Sequence, residues 1–287
     1  MKRMIPCALI AITTLAQANP DVTSREYKLM LQPQQFAYNT EASDVADFLQ
    51  AAEAAIEQAI SRNLSGSEYL AHSREVKFFD TEGSCELHNL GYSFRERIEN
   101  SDSEVTLKFR SPDRYIADFE DLSAANSQAE TKLESDIGSS SASSFKVVYS
   151  HSTTAPNTRT INHMDDINDQ FPGFDDDYGF SNSLDLELVG GLSIHEQVYK
   201  GVEIDLGQYD AEISLTLWYN GTPTASETPV VAEVSFKYED SSADYSRNVV
   251  NRAKVAFEAL QSLTNWTDPD AKTKTQFVYD FDAGFCN

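Results

Sequence analysis

The chain has 287 residues, with 46 acidic against 22 basic side chains and a formal net charge of -24. That balance argues against DNA or RNA as a partner, because nucleic-acid binding needs a broad basic face, and against an anionic membrane surface. Apolar residues at 40%, with 16 Phe and 13 Tyr, suit one large domain or two small ones on a strand-rich framework.

The first 18 residues read as a signal peptide. Lys2 and Arg3 form the positive region, IPCALIAITTLA the short apolar run, and Ala16-Gln17-Ala18 a small-x-small cleavage signal. The mature chain is expected to begin at Asn19, which takes the formal charge from -24 to -26. No later run approaches the length of a membrane span. An exported, periplasmic or extracellular protein is expected. Of the three cysteines Cys7 lies in the apolar run, leaving Cys85 and Cys286. In an oxidising compartment such a pair is predicted to form a disulfide. Neither has the nearby His or helix start that thiol catalysis needs, and the five histidines lack zinc-ligand spacing.

Taken in order, Arg25–Pro33 alternates and ends at proline, so it reads as a strand. Ser43–Ile60 reads as a helix, with Ser43 as N-cap and Asp44 in the first turn. Its apolar stripe is Val45, Phe48, Leu49, Ala52, Ile56 and Ile60. Strands are predicted at Glu75–Asp80, Tyr92–Glu99, Val105–Arg110, Arg114–Glu120 and Lys132–Ile137. GSSSASS (138–144) is a low-complexity stretch, and Phe145–Ser152 one more strand. Thr153–Ser183 is polar, carries Asp175-Asp176-Asp177, and contains INHMDDINDQF, a candidate short helix. The region around 139–185 thus reads as a polar, acidic insertion on a single domain spanning 19–287. Its acids suit calcium, but there is no EF-hand loop, and a solvated acidic loop is the simpler reading. Strands follow at Val202–Leu206, Glu212–Tyr219 and Val230–Glu239, then an amphipathic helix over Ala243–Leu263 and a closing strand over Thr273–Phe281.

Alternate residues of a strand share a face. In VTLKFR, Val105, Leu107 and Phe109 oppose Thr106, Lys108 and Arg110. In VVAEVSFKY, Val234, Phe236 and Tyr238 oppose Glu233, Ser235 and Lys237. Arg95 shares a face with Arg97, Glu26 with Lys28, and Lys132 with Glu134 and Asp136. Two geometries fit. Either the charged faces meet water, as in most antiparallel sheets, or the sheet curls into an α+β fold. In the latter, a mainly antiparallel barrel of about eight strands turns its charges inward and packs the amphipathic helices outside. The cations favour the second, since they sit on strands while acids crowd the loops. A cavity lined by Arg and Lys needs an anion, and the arginine fork suits phosphate oxygens. Neighbouring acids would hold Mg²⁺ or Mn²⁺ against the same phosphates.

Val76–Arg110 resembles the core of the CYTH, or triphosphate tunnel, superfamily. The matching residues are Phe78-Phe79-Asp80-Thr81, Leu87, Gly91, Arg95/Arg97 and Thr106/Lys108/Arg110, in order and at the right spacing. Collinear but weaker matches are Ser24-x-Glu26-x-Lys28, Lys132-x-Glu134-x-Asp136, Lys200, Glu233-Val234-Ser235 and Lys274. The resemblance implies a tunnel-like barrel that binds triphosphates, often with hydrolysis by a divalent metal. It implies that Arg95, Arg97, Lys108, Arg110 and Lys200 bind phosphate, joined by Lys237 and Lys274. It implies that Glu26, Glu134, Asp136 and Glu233 hold metal and position water, with Glu26 also a catalytic candidate; Lys28, from its position alone, is the candidate for assisting proton transfer. Ser24 and Ser235 stand where the family carries acids. Three functions therefore remain open: a metal-dependent hydrolase of triphosphate or polyphosphate, a non-catalytic binder of phosphorylated ligands, and a structural domain without ligand.

Overall fold

Alternating strands carry through most of the chain and close on themselves. The computed structural model describes residues 21–141 and 144–287. The signal-peptide reading of 1–18 and the middle of GSSSASS lie outside the described residues. The strands are β1 (Ser24–Leu31), β2 (Leu64–Asp80), β3 (Tyr92–Glu99), β4 (Asp102–Ser111), β5 (Glu130–Ser141), β6 (Ser144–Asn157), β7 (Glu187–Leu188), β8 (Ile194–Asp205), β9 (Asp210–Asn220) and β10 (Val231–Glu239). They hydrogen-bond in the order β3-β4-β6-β5-β1-β10-β9-β8-β2, and β2 pairs back onto β3. Nine strands thus form a closed ring around a tunnel, with β7 added at the end of β2. Among the described residues, β1 and β5 are the one parallel pair.

The α+β architecture follows the sequence expectation, with one strand more in the ring than the predicted eight or so. Several strands are longer than their apolar alternation suggests. β2 begins at Leu64, in a polar stretch whose side chains are largely exposed, and β8 begins at Ile194. Bulges let these two long partners bend, and at one of them Gly66 is required. Its φ is +95°, and a Cβ there would sit 1.9 Å from the Gly201 carbonyl oxygen.

The helices are α1 (Glu41–Ile60), α2 (Glu86–Asn89), α3 (Arg114–Phe119), α4 (Asp165–Asn168), α5 (Pro172–Tyr178), α6 (Arg247–Gln261) and α7 (Lys274–Phe281). They pack on the outside of the ring, where the apolar strand faces point. Phe48 and Ile56 of α1 and Phe257 of α6 bury against Leu29, Leu215, Val234 and Phe236. A second cluster sets Phe94 and Leu107 against Met164, Ile167, Phe171 and Phe174. The segment 161–174, polar in composition, therefore spends its few large apolar residues on covering β3 and β4.

Two predicted strands are helices. Arg114–Glu120 was expected to be a strand from its alternation. Instead Asp113 caps α3, its carboxylate accepting from Tyr115 N (2.8 Å) and Ile116 N (3.4 Å). The predicted closing strand Thr273–Phe281 is α7, started by a capping box between Thr273 and Gln276. α1 starts earlier than expected, with Thr40 rather than Ser43 at the N-cap position.

The predicted disulfide is formed. Cys85 and Cys286 are bonded across a separation of 201 residues, with Cα atoms 5.2 Å apart. Nearby, Asp80 is fully buried and accepts from Thr81 N (2.8 Å), Leu87 N (3.0 Å), His88 N (3.0 Å) and Tyr279 Oη (2.9 Å). Its carboxylate ties the end of β2 to α2 and α7. Among the described residues no helix is long and apolar enough to cross a membrane.

Candidate functional site: a cation-rich tunnel

Every strand of the ring sends side chains into a tunnel of about 400 Å³. Strand alternation is the cause, since the face opposite each apolar row points inward. On β3 and β4 that face is Ser93, Arg95 and Arg97 beside Thr106, Lys108 and Arg110. Nine Lys and Arg side chains line the tunnel against five carboxylates, among the described residues. A chain of net charge -24 has therefore concentrated its few cations inside. The charged faces turn inward rather than to water.

One end of the tunnel is built from arginines. Arg74 of β2 donates through Nε to Glu196 Oε1 at 2.6 Å, and Arg97 Nε lies 3.5 Å from the same oxygen. Trp218 Nε1 donates to Glu196 Oε2 at 2.7 Å, and Glu196 is 1% exposed. Burial raises the pKa of this carboxyl, but Arg97, Arg74 and Lys274 outweigh burial and hold it well below the usual carboxylate range. Arg95 has no such partner. Among the described residues its side chain makes one long bond, 3.5 Å from Nη2 to Thr106 Oγ1. Among the described residues its buried Nε has no hydrogen-bond partner, while that of Arg97 has only the 3.5 Å ion-pair contact to Glu196. Burial, and then the charge of Arg97, push Arg95 well below the ordinary arginine value. A buried guanidinium beside a like charge is costly unless an anion joins it.

The other end mixes acids and lysines. Glu26 and Asp136 are register partners across the parallel β1–β5 pair, and Ser24 is opposite Glu134. Carboxylate oxygens of Glu26, Glu134 and Asp136 lie within 4.8 Å of one another. That span fits one oxygen-preferring divalent cation. Two ammonium groups already offset part of the charge of these three acids. Lys28 Nζ is 2.8 Å from Glu26 and 3.0 Å from Asp136, and Lys108 Nζ is 3.4 Å from Asp136 and 3.8 Å from Glu134. Ser24 Oγ donates to Glu134 at 3.2 Å. Burial lowers the Lys28 pKa, but Asp136, Glu26 and Glu233 together raise it above the usual lysine value, so Lys28 is a fixed cation. Burial, together with the charges of Lys28 and Arg110, brings Lys108 down to about 8 despite Asp136.

The expected site residues fall into three groups. Arg95, Arg97, Lys108, Arg110, Lys200 and Lys274 all line the tunnel, as do Glu26, Lys28, Glu134 and Glu233. The acidic trio joins Glu26, expected as catalytic, to Glu134 and Asp136. Glu233 stands apart from it, paired with Lys274 at 2.7 Å. Lys200 is engaged by Glu212 at 2.7 Å. Lys237 is outside the tunnel lining and 3.3 Å from Glu239. Lys274 arrives not from a strand but from the first turn of α7, where its Nζ also lies 5.7 Å from the Trp218 ring centre.

Arg74 and Glu196 were missed from sequence. Both sit in segments without apolar alternation. The available signal was the spacing of His72, Arg74 and Phe78, which share the tunnel face of β2.

No protein-family model matches the chain, and no curated protein matches it. Solved structures do resemble it. A candidate adenylyl cyclase from Hippeastrum, described as having a dominant triphosphatase activity, is 14% identical at a TM-score of 0.44, over 91% of this chain and 97% of that one. A candidate adenylate cyclase from Bacillus halodurans is 12% identical at a TM-score of 0.42, over 89% and 96%. The PH1819 protein from Pyrococcus horikoshii is 8% identical at a TM-score of 0.36, over 89% and 100%. The closed ring of strands and its inward cations agree with the tunnel-like barrel that the sequence resemblance implied.

Proposed function

We propose that the tunnel binds the phosphate chain of a triphosphate or polyphosphate and hydrolyses it with a divalent cation. The observation that carries this reading is Arg95, a buried guanidinium with an unpaired Nε, facing a tunnel with a surplus of cations. Arg74 and Arg97, oriented by Glu196, would bind phosphate oxygens beside it through their terminal nitrogens. Glu26, Glu134 and Asp136 would hold Mg²⁺ or Mn²⁺. Such an ion, when bound, neutralises phosphate oxygens and makes a water more nucleophilic. Lys28, kept protonated by its acids, would stabilise negative charge on the phosphates rather than serve as a base. The direct test is phosphate release from tripolyphosphate with Mg²⁺ or Mn²⁺. Release in the native protein and its loss in Arg95→Met support the proposal; silence with both metals over a range of triphosphates refutes hydrolysis.

A second reading, binding without turnover, is favoured by one feature. By the resemblance Ser24 and Ser235 stand in place of acids, and Lys28 and Lys108 already offset most of the charge of the trio. Tight tripolyphosphate binding by calorimetry without phosphate release would select it. The signal-like first 18 residues and the Cys85–Cys286 bond also support export to an oxidising compartment. Sequencing the N-terminus of the natural protein tests this, with Asn19 the expected first residue.

A further inference from the structure

One wall of the tunnel is not part of the ring. Lys274 and Thr275, which open α7, line the tunnel beside the strands. Lys274 Nζ lies 2.7 Å from Glu233, and Arg110 Nη1 donates to Thr275 Oγ1 at 3.4 Å. Among the described residues, Lys274 is the one tunnel cation that no strand fixes in place.

Little holds α7 in that position. The chain before it is fastened to β1 at Asp268, whose N–H donates to the Met30 carbonyl at 3.0 Å, next to the Leu31–Thr267 bridge. From Lys274 to the last residue only Val278, Tyr279 and Phe285 are buried, against Val76, Phe78 and Trp218. Two hydrogen bonds assist them, Tyr279 Oη to Asp80 at 2.9 Å and Gly83 N to the Phe285 carbonyl at 2.7 Å. A terminal helix with so few buried side chains belongs to the least stable part of a fold. The Cys85–Cys286 bond is the covalent tie, joining the tail to the loop after β2 across a separation of 201 residues. Cys85 is fully buried and Cys286 partly exposed, so the side open to a small thiolate is Cys286.

We infer that the Cys85–Cys286 bond is a redox latch on the tunnel. Oxidised, it seats α7 and completes the wall. Reduced, it lets α7 and the tail swing out while the ring stays folded. Release withdraws Lys274 and leaves the buried Glu233 without its cation, so the tunnel loses a positive charge and uncovers a negative one. The effect on ligand rests on the phosphate-chain reading of the tunnel; the movement of α7 does not. The reductant is a dithiol. One of its thiolates attacks Cys286 Sγ, the S–S bond breaks, and Cys85 leaves as a thiolate that takes up a proton. The second thiolate of the reductant then attacks the mixed disulfide, Cys286 leaves and is protonated, and the reductant departs as a disulfide. Two electrons and two protons pass to the protein. With the export reading, the chain stays unlatched in a reducing compartment and its tunnel is completed only after oxidation.

The experiment compares the oxidised native protein, the same protein reduced with dithiothreitol, and Cys286→Ser, all without divalent ions. Hydrogen exchange is measured first, because it needs no ligand. Amides of α7 are expected to exchange about tenfold faster or more without the bond, while those of β9 and β10 keep their protection. Tripolyphosphate affinity by calorimetry is expected to fall about tenfold or more on reduction and in Cys286→Ser, and to return when the native protein is reoxidised. Unchanged exchange in α7 overturns the latch, as does loss of protection throughout the ring, which would make the bond a brace for the whole fold. A freed α7 with unchanged affinity overturns the coupling to the tunnel. An oxidised protein that does not bind tripolyphosphate overturns the phosphate reading and the coupling with it, and exchange in α7 then decides the movement alone.

Discussion

Replacing Arg95 with Met should make the ligand-free protein more stable while removing its ligand. Arg95 Nε is buried without an acceptor, and a buried unsatisfied polar group costs about 1–3 kcal/mol. Its like-charged neighbour Arg97 adds repulsion. What Arg95 gains in return is small, a 3.5 Å contact to Thr106 Oγ1. Methionine has a similar length, keeps the apolar part of the packing and removes the charge, and replacing poorly compensated buried ions by apolar residues is often stabilising. The expected gain is about 1–2 kcal/mol in urea unfolding. With tripolyphosphate present the order reverses. The native protein gains stability through mass action on its folded state, and the variant does not. If Arg95→Met lost more than about 1 kcal/mol without ligand, Arg95 would be a paired structural residue and the argument for an anion would fail.

Further outcomes follow from the same structure. Asp80→Ala strands three backbone N–H groups and the Tyr279 hydroxyl, and should cost about 3–5 kcal/mol in denaturant unfolding; a loss below about 1 kcal/mol would contradict the role given to this carboxylate. Glu41 is buried under Tyr199 and Tyr219, whose hydroxyls donate to it at 2.7 Å each. Burial raises its folded pKa despite these donors, so its contribution to stability is full below the unfolded value and falls as pH rises through the folded one. The native protein should therefore lose stability relative to Glu41→Gln as pH climbs out of the ordinary carboxylate range, and a pH-independent difference would refute this. Lys108 loses its proton near pH 8 in the ligand-free protein. Tripolyphosphate affinity should fall as pH rises through that value in the native protein and stay flat there in Lys108→Met, which affinity measurements from pH 7 to 9 would check.

The parts of the fold that could be read in the sequence are those where one strand face is apolar and the other charged. Tyr92–Glu99 was read at its observed limits, and Val105–Arg110 forms most of β4. The inward turn of those charges came from their sorting: cations on strands in an acidic chain have little reason to face water. The misread segments share a cause. Arg114–Glu120 and Thr273–Phe281 alternate like strands, but a single capping side chain, Asp113 or Thr273, commits each to a helix. Alternation over six to nine residues is too weak to outweigh a satisfied helix start.

The site was legible in the same uneven way. Arg95, Arg97, Lys108 and Arg110 lie on one hairpin, so local alternation was enough to place them together. Grouping Glu26 with Glu134 and Asp136 depends on β1 lying parallel to β5, a pairing between segments more than a hundred residues apart. The Arg74–Glu196 pair likewise needs the β2–β8 ladder, which brings together two polar segments with no apolar pattern to announce them. Asp80 shows the converse. It belongs to the motif that carries the family resemblance, yet it faces away from the tunnel and holds α2 and α7 in place.

If the tunnel holds a phosphate chain, calorimetric titration of tripolyphosphate into the native protein at two salt concentrations will show saturable binding at one site, weaker at higher salt and absent in Arg95→Met. No binding to the native protein, or equal binding by native protein and Arg95→Met, would contradict it.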